Sequence, residues 1–305
     1  MRLSEAITLV FDQRGGLRER LETARGYERD CRQVALFLGN PDITLVRVDD
    51  IERYFKGMED VGYTRNGLQM KGCALRKLFA ALRRRGYSVL DPKDIPLLRR
   101  EYKESRVATE EQIQKVLVVF DKSPQKHLRL RNKAMLLVLR DTGMRCAELR
   151  ALNLADMDME NKRAMIRTKK SRGMKPVRAV FWYDECNAAL KEWIGERVKF
   201  LQSHGATSEA LFLVSHRDTG IARIGSTGVG IALRKASWAA GVPTLNPHSL
   251  RHRKGHMLAK GGANNSTISG VLGHSSLASS YTYTMMNDKE LEQVARKYGE
   301  EQGGG

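Results

Sequence analysis

The sequence contains no long apolar run and few cysteines. No stretch approaches the ~18 uncharged apolar residues that span a bilayer, and the first residues, MRLSEAITLVFDQRGG, show no signal-peptide cleavage pattern. The four cysteines are too far apart for a CxxC metal site and too few for a disulfide framework: Cys31, Cys73, Cys146 and Cys186. We therefore expect a soluble cytoplasmic protein whose cysteines are reduced and mostly buried.

Positive charge dominates the composition. The 53 Lys and Arg residues exceed the 35 Asp and Glu residues, which gives a net charge of +18. With 41% hydrophobic and 29% charged residues, the chain can bury an ordinary core. A globular protein this basic usually faces a polyanion such as nucleic acid. A membrane surface fits less well, because no amphipathic helix combines a Lys-rich face with exposed aromatic residues.

Length and periodicity predict two domains. At ~150 residues per domain, 305 residues suggest about two. Apolar residues recur at helical spacing over residues 23–38, 48–58 and 64–85, whereas residues 86–103 contain two prolines and are predicted to form an extended linker. The capping box Thr-Glu-Glu-Gln at Thr109 begins the first helix of the next domain. We predict a helical domain over residues 1–103 and a second domain over residues 104–305.

The second domain is predicted to be mainly α with a small antiparallel β-sheet. Two short strands, 163–168 and 177–182, flank a turn at Ser171-Arg172-Gly173. Helices are predicted over residues 109–120, 132–141, 185–202, 226–240, 248–260, 264–272 and 287–298.

Three segments of this domain contain residues suited to holding and attacking a phosphate. They are DTGMRCAELRAL with Arg145, NPHSLRH with His248 and Arg251, and VLGHSSLASSYTYT with His274 and Tyr283. Two Arg guanidinium groups can bind phosphate oxygens bidentately, and a Tyr hydroxyl can act as nucleophile once it loses its proton. No P-loop and no acidic metal cluster accompanies them.

These motifs resemble those of the tyrosine recombinase or phage integrase family, in its Xer-like or integron-like form without a separate arm-binding domain. The order of the motifs matches, as do the 23 residues from Arg251 to His274 and the 9 from His274 to Tyr283. TARGYERDCRQVALFL and LRKLFAALRRRGY are similar to the family's helical core-binding domain. The resemblance covers residues 20–298 and implies a two-domain DNA clamp.

The resemblance also implies the role of each motif residue. Tyr283 attacks the scissile phosphate to form a 3′-phosphotyrosine, without ATP or metal, while Arg145, His248 and Arg251 bind that phosphate. His274 hydrogen bonds to a phosphate oxygen, and Glu148, on the next helical turn, can brace Arg145.

The family's remaining catalytic group is a Lys on a β-hairpin that protonates the leaving 5′-oxygen. The corresponding segment, MIRTKKSRGMKPVRAVF, departs from the commoner GKGxKxR form, so its register is ambiguous. Lys169 directly follows Thr168, as in several family members, and is the preferred candidate. Lys170 and Lys175 remain alternatives.

Seven further basic residues are candidates for binding the DNA backbone. Some lie off the apolar stripe of the 64–85 helix, and others lie near the hairpin or the HSLRH motif: Lys71, Arg76, Arg83, Arg84, Lys170, Arg172 and Arg253. For Arg253 and the adjacent Lys254, solvated side chains are the alternative.

The resemblance implies double-stranded DNA with inverted-repeat core sites as the partner, bound by four protomers on two sites. A C-terminal segment over residues 288–298 would dock onto a neighbouring protomer or pack in cis, and accessory DNA-bending or directionality proteins are possible. Two other functions share the fold: a type IB topoisomerase and a non-catalytic DNA-binding regulator.

The sequence predicts which of two tyrosines is the nucleophile. Tyr281 and Tyr283 are two residues apart, ~200° around a helix, so both cannot face one phosphate in a helical segment. We expect Tyr283→Phe to bind DNA but to form no covalent protein–DNA adduct that survives boiling in detergent, whereas Tyr281→Phe forms one. An adduct on Tyr283→Phe, mapped by peptide sequencing to Tyr281, would reverse the assignment.

Overall fold

The computed structural model describes residues 1–12, 21–99, 101, 106–167, 177–216 and 220–273. The chain divides into two compact units, residues 1–104 and 105–305, each with its own hydrophobic core. Across the described residues, the helices are all too short or too polar to cross a membrane.

The first unit is helical. Its helices are α1 (Leu3–Phe11), α2 (Leu21–Phe37), α3 (Val48–Asp60) and α4 (Arg65–Arg84). The predicted α2, α3 and α4 are confirmed to within about two residues at each end. Thr64 caps α4, because its hydroxyl accepts a hydrogen bond from the backbone N–H of Gly67 at 3.3 Å. Helix α1 is absent from the helices predicted above, although Leu3, Ile7 and Val10 follow helical spacing and are fully buried.

Residues 86–99 do not form the extended linker predicted from their prolines. They contain no helix or strand, but they pack on α4, and Ile95 is fully buried in the core of this unit. The Nε and Nη2 atoms of Arg76 donate hydrogen bonds to the Ile95 carbonyl at 2.9 and 2.5 Å. A Cβ atom on Gly72 would lie 3.0 Å from the Pro96 carbonyl oxygen, so α4 and this segment are in close contact.

The second unit combines helices with two small antiparallel sheets, as predicted for the fold class. In chain order its elements are α5 (Glu110–Asp121), α6 (Lys126–Thr142), α7 (Cys146–Ala151), a 3₁₀ turn (Leu154–Asp156), β1 (Met157–Asp158), β2 (Arg163–Arg167), β3 (Val177–Phe181), α8 (Asp184–Ser203), β4 (Leu213–His216), β5 (Gly220–Arg223), α9 (Ser226–Ala239), α10 (Pro247–Lys260) and α11 (Asn265–Leu272).

The three-stranded sheet has the order β1-β2-β3, with Met165 opposite Ala179. The second sheet pairs β4 with β5. Helix α6 lies at the centre of this unit, and its residues 134–139 are all buried.

Helix α6 begins six residues before its predicted start at residue 132, and the β4–β5 hairpin is absent from the predicted elements. Charged residues in the first turns of α6 disturb the apolar periodicity on which the helix prediction depends. One of these, Arg131, is buried, and its Nη1 donates a hydrogen bond to the Leu213 carbonyl at 3.0 Å. The predicted strands β2 and β3 and helices α5 and α8–α11 are confirmed.

All four cysteines are free thiols, as predicted. Cys31 and Cys186 are buried, and burial raises the pKa of both thiols well above its usual range. Cys73 and Cys146 are only partly buried.

The contacts of Arg76 predict a structural effect for a residue first considered as a DNA ligand. Arg76→Met removes charged hydrogen bonds to the Ile95 and Lys93 carbonyls, so we expect it to lower the free energy of unfolding by about 2 kcal/mol in urea denaturation. The matched control is Arg84→Met, an exposed position on the same helix, where the change should stay within about 0.5 kcal/mol. Equal effects of the two substitutions would contradict the assignment.

Candidate active site

A tight turn between α6 and α7 forms the centre of the site. Helix α6 ends at Gly143, which has a φ of 60° in the left-handed region. A Cβ atom there would lie 2.8 Å from Leu272 Cδ2 of α11 and 2.9 Å from Lys254 Cβ of α10. Only glycine therefore fits, both for its backbone angles and for the space available. The turn lies where α10 and α11 meet α6.

Arg145 follows this turn and is held on two sides. Its Nη1 donates to Glu148 Oε1 at 2.9 Å, and its Nη2 donates to the carbonyl of Gly273, the C-cap of α11, at 2.7 Å. The backbone N–H of Arg145 donates to Glu148 Oε2 at 2.8 Å. The predicted bracing of Arg145 by Glu148 is therefore present in the structure. The Arg145 side chain remains 40% exposed, so its guanidinium is accessible from solvent.

Helix α10 contributes His248 and Arg251 from its first turns. Asn246 caps the helix, since its Oδ1 accepts from the backbone N–H groups of His248 and Ser249, each at 2.9 Å. The Nη1 of buried Arg251 donates to the Gly143 carbonyl at 2.9 Å, which joins α10 to the turn before Arg145. Two segments more than 100 residues apart are thereby brought together.

His248 is exposed on α10, and its ring packs edge-to-face on the ring of His252, with centroids 4.5 Å apart. Partial desolvation and the nearby charges of Arg251 and Arg145 lower the pKa of His248. Desolvation, together with His248, His256 and Arg251, lowers the pKa of His252 to about 4. Near neutral pH both rings are therefore uncharged beside two guanidinium cations.

The structure adds one residue that the sequence analysis does not single out. Arg178 of β3 donates from Nη2 to Glu148 Oε2 at 3.0 Å and from Nη1 to the Val271 carbonyl of α11 at 2.5 Å. Its side chain is only 12% exposed. The available signal is a charged residue within the otherwise apolar strand VRAVF.

Several predicted site residues lie outside the described residues, so their placement remains a prediction. They are Lys169, Lys170, Arg172, Lys175, His274, Tyr281, Tyr283 and the segment 288–298.

The structure does not support a DNA-contacting role for Lys71 or Arg76 in the first unit. Lys71 is 5% exposed, and its ammonium group contacts Gln33, lies 3.6 Å from Asp30 Oδ1 and lies over the Tyr63 ring. Arg76 is engaged by backbone carbonyls, as described above. Periodicity places both residues off the apolar stripe, but neighbouring elements cover them. Arg83 and Arg84 are exposed, and Arg83 forms a surface ion pair with Asp91 at 2.7 Å.

Arg253 is neither a solvated side chain nor a free phosphate ligand. Its Nη2 donates to Glu110 Oε2 at 2.7 Å, and its Nη1 lies 3.5 Å from the Ala108 carbonyl, so it joins α10 to the start of α5. The neighbouring Lys254 donates to the Tyr183 hydroxyl at 3.2 Å.

The lowered pKa of His252 predicts a pH-dependent stability. Between about pH 4 and 6.5 the unfolded chain binds more protons at this residue than the folded chain. The contribution of His252 to the free energy of unfolding is therefore complete above pH 6.5 and is lost as the pH falls toward 4. We expect His252→Asn to lower the free energy of unfolding more at pH 7 than at pH 4.5 in urea denaturation. A difference between variant and wild type that does not change with pH would contradict this.

Comparison with known proteins agrees with the geometry. The tyrosine recombinase XerC of Roseiflexus castenholzii is 29% identical over 272 residues, covering 87% of this chain and 83% of that protein. XerC of Listeria monocytogenes serovar 1/2a is 26% identical over 286 residues, covering 91% of each chain.

Solved structures share the fold. The integrase of transposon Tn1549 in complex with transposon right end DNA superposes with a TM-score of 0.70 at 20% identity, over 97% of this chain and 99% of that one. The post-cleavage complex of the XerH recombinase with palindromic difH DNA gives 0.69 at 20% identity, over 92% and 80%. The model of the phage integrase family matches residues 106–290, more than half of the sequence. The chain belongs to the phage integrase family of tyrosine recombinases.

Proposed function

We propose that this protein is a site-specific DNA recombinase that cuts and rejoins double-stranded DNA through a covalent phosphotyrosine. The observation that carries the proposal is the arrangement of Arg145, His248 and Arg251 around the turn at Gly143. Two guanidinium groups and a neutral imidazole near one turn are suited to the two non-bridging oxygens of a scissile phosphodiester, whose charge a phosphoryl transfer must stabilise.

In the proposed reaction, the Tyr283 oxygen attacks the scissile phosphorus as its proton passes to a neighbouring base. A new P–O bond forms to Tyr283, the bond to the 5′-oxygen breaks, and Lys169 supplies the proton that this oxygen takes up. The 5′-hydroxyl of another strand then attacks the 3′-phosphotyrosine and releases the tyrosine. Because one phosphodiester-type bond is exchanged for another, the reaction needs no energy from ATP. Its charge stabilisation is assigned to Arg145 and Arg251 rather than to a metal.

DNA is the partner that the relatives support, since the Tn1549 integrase and XerH are described as complexes with DNA. The net charge of +18 fits this partner. In the helical unit, the exposed Arg83 and Arg84 are the candidates that remain for contacting phosphates. The proposal also includes an assembly of four protomers on two inverted-repeat sites, in which the segment 288–298 docks onto a neighbouring protomer. Accessory DNA-bending or directionality proteins are the remaining proposed partners.

Two other functions are alternatives to recombination. A type IB topoisomerase would relax supercoils as a monomer, and a regulator of the same fold would bind DNA without cutting it. The XerC relatives favour recombination over both. Exchange of strands between two labelled duplexes separates a recombinase from a topoisomerase, and adduct formation separates either from a regulator.

The test begins with sheared genomic DNA of the organism that encodes this chain. The fragments are nicked lightly, so that cleavage beside a nick releases a short strand and traps the covalent complex. Wild-type protein should form adducts that survive boiling in detergent, and sequencing them gives the site. Arg145→Ala should form none while still retarding the recovered duplex in gels. Because one phosphate contact is lost, its log–log salt slope should fall by ~0.9.

Arg163→Ala is the matched control, because Arg163 is an exposed Arg of the same unit that pairs with Asp158 away from the turn. It should form adducts at the wild-type rate. Wild-type protein that retards DNA but never forms an adduct would leave the regulator as the function, and adducts on Arg145→Ala at the wild-type rate would remove Arg145 from the chemistry.

A further inference from the structure

Arg178 is partly buried, with its side chain 12% exposed, at the place where the three-stranded sheet meets α7 and α11. Its Nη2 donates to Glu148 Oε2 and its Nη1 to the Val271 carbonyl, at 3.0 and 2.5 Å. Both contacts cross between elements that are distant in sequence, by 30 and 93 residues. Strand β3, which carries Arg178, is the strand that directly follows the lysine-containing segment 168–176.

The carboxylate of Glu148 is shared between Arg178 and Arg145. It accepts one hydrogen bond from Arg178 and two from Arg145, through the backbone N–H and Nη1. Its side chain is only 5% exposed, so the charge depends on these donors in place of water. Removing Arg178 would leave Oε2 with a single donor. The direction in which Glu148 holds the Arg145 guanidinium would then be less well defined.

The second contact of Arg178 is at the end of α11. Arg178 binds the Val271 carbonyl and Arg145 binds the Gly273 carbonyl, so two cations lie at the negative end of this helix. Gly273 has a φ of 66°, and a Cβ atom there would lie 2.5 Å from Arg178 Nε. The fit between this backbone and the guanidinium is therefore close. Residue 274, a proposed phosphate ligand, is the next in the chain.

We propose that Arg178 is a positioning residue of the cleavage reaction. It fixes Glu148, and through it the Arg145 guanidinium, relative to β3 on one side and the end of α11 on the other. One partly buried side chain thereby connects three segments of the proposed site: the Arg145 turn, the strand after the hairpin lysine, and the helix before His274. The inference rests on the proposed recombinase function.

A positioning role makes different predictions from a direct DNA contact or from a general role in stability. Arg178 is only 12% exposed and is directed toward protein acceptors, so its loss should leave DNA affinity nearly unchanged. Displacing a catalytic group slows the chemical step, and misplacements of about 1 Å can cost ~100-fold. A direct phosphate ligand would lose affinity and would weaken the salt dependence of binding.

The first experiment measures single-turnover cleavage of the nicked duplex recovered with wild-type protein, at saturating protein. We expect Arg178→Met to slow adduct formation by about 10- to 100-fold, with DNA affinity within about threefold of wild type. Arg178→Lys should recover part of the rate, because an ammonium group can still donate to Glu148. Arg163→Met, the same change on neighbouring β2, should cleave at the wild-type rate.

A double-mutant cycle with Glu148→Gln tests whether Arg178 acts through the carboxylate. If it does, Arg178→Met should slow cleavage much less in the Glu148→Gln background than in wild type, because both changes interrupt one connection. Independent, multiplicative effects would overturn the proposal. So would a wild-type cleavage rate for Arg178→Met, or a loss of DNA affinity as large as the loss of rate.

Hydrogen exchange of the free protein supplies a measurement that needs neither DNA nor activity. The Arg145 amide is bonded to Glu148 and the Gly273 amide to the Gly270 carbonyl, so both should exchange faster in Arg178→Met, while amides of α8 keep their protection. Unchanged exchange at both amides would overturn the proposal. If Arg178→Met does not fold, the same exchange measurement is made on Arg178→Lys, with Arg163→Lys as its control.

The two proposals fail in distinguishable ways. If wild-type protein forms no adduct with any fragment, the recombinase function fails, while the exchange measurement still decides whether Arg178 holds the Arg145 turn. If wild-type protein forms adducts and Arg178→Met matches it in both rate and exchange, only the positioning role fails.

Discussion

The buried carboxylate of Glu148 is the constraint on which the rest of the site depends. A carboxylate removed from water is stable only when cations or N–H donors surround it, and breaking such a pair costs more than forming it gains. Glu148 meets this requirement with donors from its own turn and from β3. Moving Arg145 elsewhere would remove two of the three donors that this carboxylate has. Glu148, which takes no direct part in the proposed reaction, thus helps to determine where the proposed phosphate ligand Arg145 lies.

A second constraint is steric and acts at Gly143. The backbone there has a φ of 60°, and the space beside its Cα is filled by side chains of α10 and α11. The same residue offers its carbonyl to Arg251. Close approach of two helices to a turn without a side chain lets Arg251 bond to the backbone of the turn that leads into Arg145. Any larger residue would separate the helices and, with them, the two guanidinium groups.

Local signals made much of this predictable from the sequence. The capping box at Thr109 gave the start of α5, apolar periodicity gave the bounds of α4, and the spacing of Arg145 and Glu148 on one helical face gave their pairing.

The failures share one cause. Periodicity shows which residues leave the apolar stripe, but not whether a distant segment covers them. Lys71 and Arg76 were assigned to DNA because the elements that cover them, α2 and residues 93–95, are distant in sequence from α4. Arg178 was missed for the same reason, since its partners lie 30 and 93 residues away.

The protonation state of the histidines follows from the same arrangement. Partial desolvation, together with the charges of Arg251 and Arg145 that protein acceptors hold in place, lowers the pKa of His248. Desolvation also lowers the pKa of the neighbouring His252, so both rings are neutral near neutral pH. A phosphate anion bound at the guanidinium groups would offset that charge and favour protonation of His248. The imidazole would thus gain its proton when the negative charge it must stabilise is present. Protein acceptors hold Arg145 and Arg251 in place, so the cost of bringing these cations together would be met during folding rather than on binding DNA.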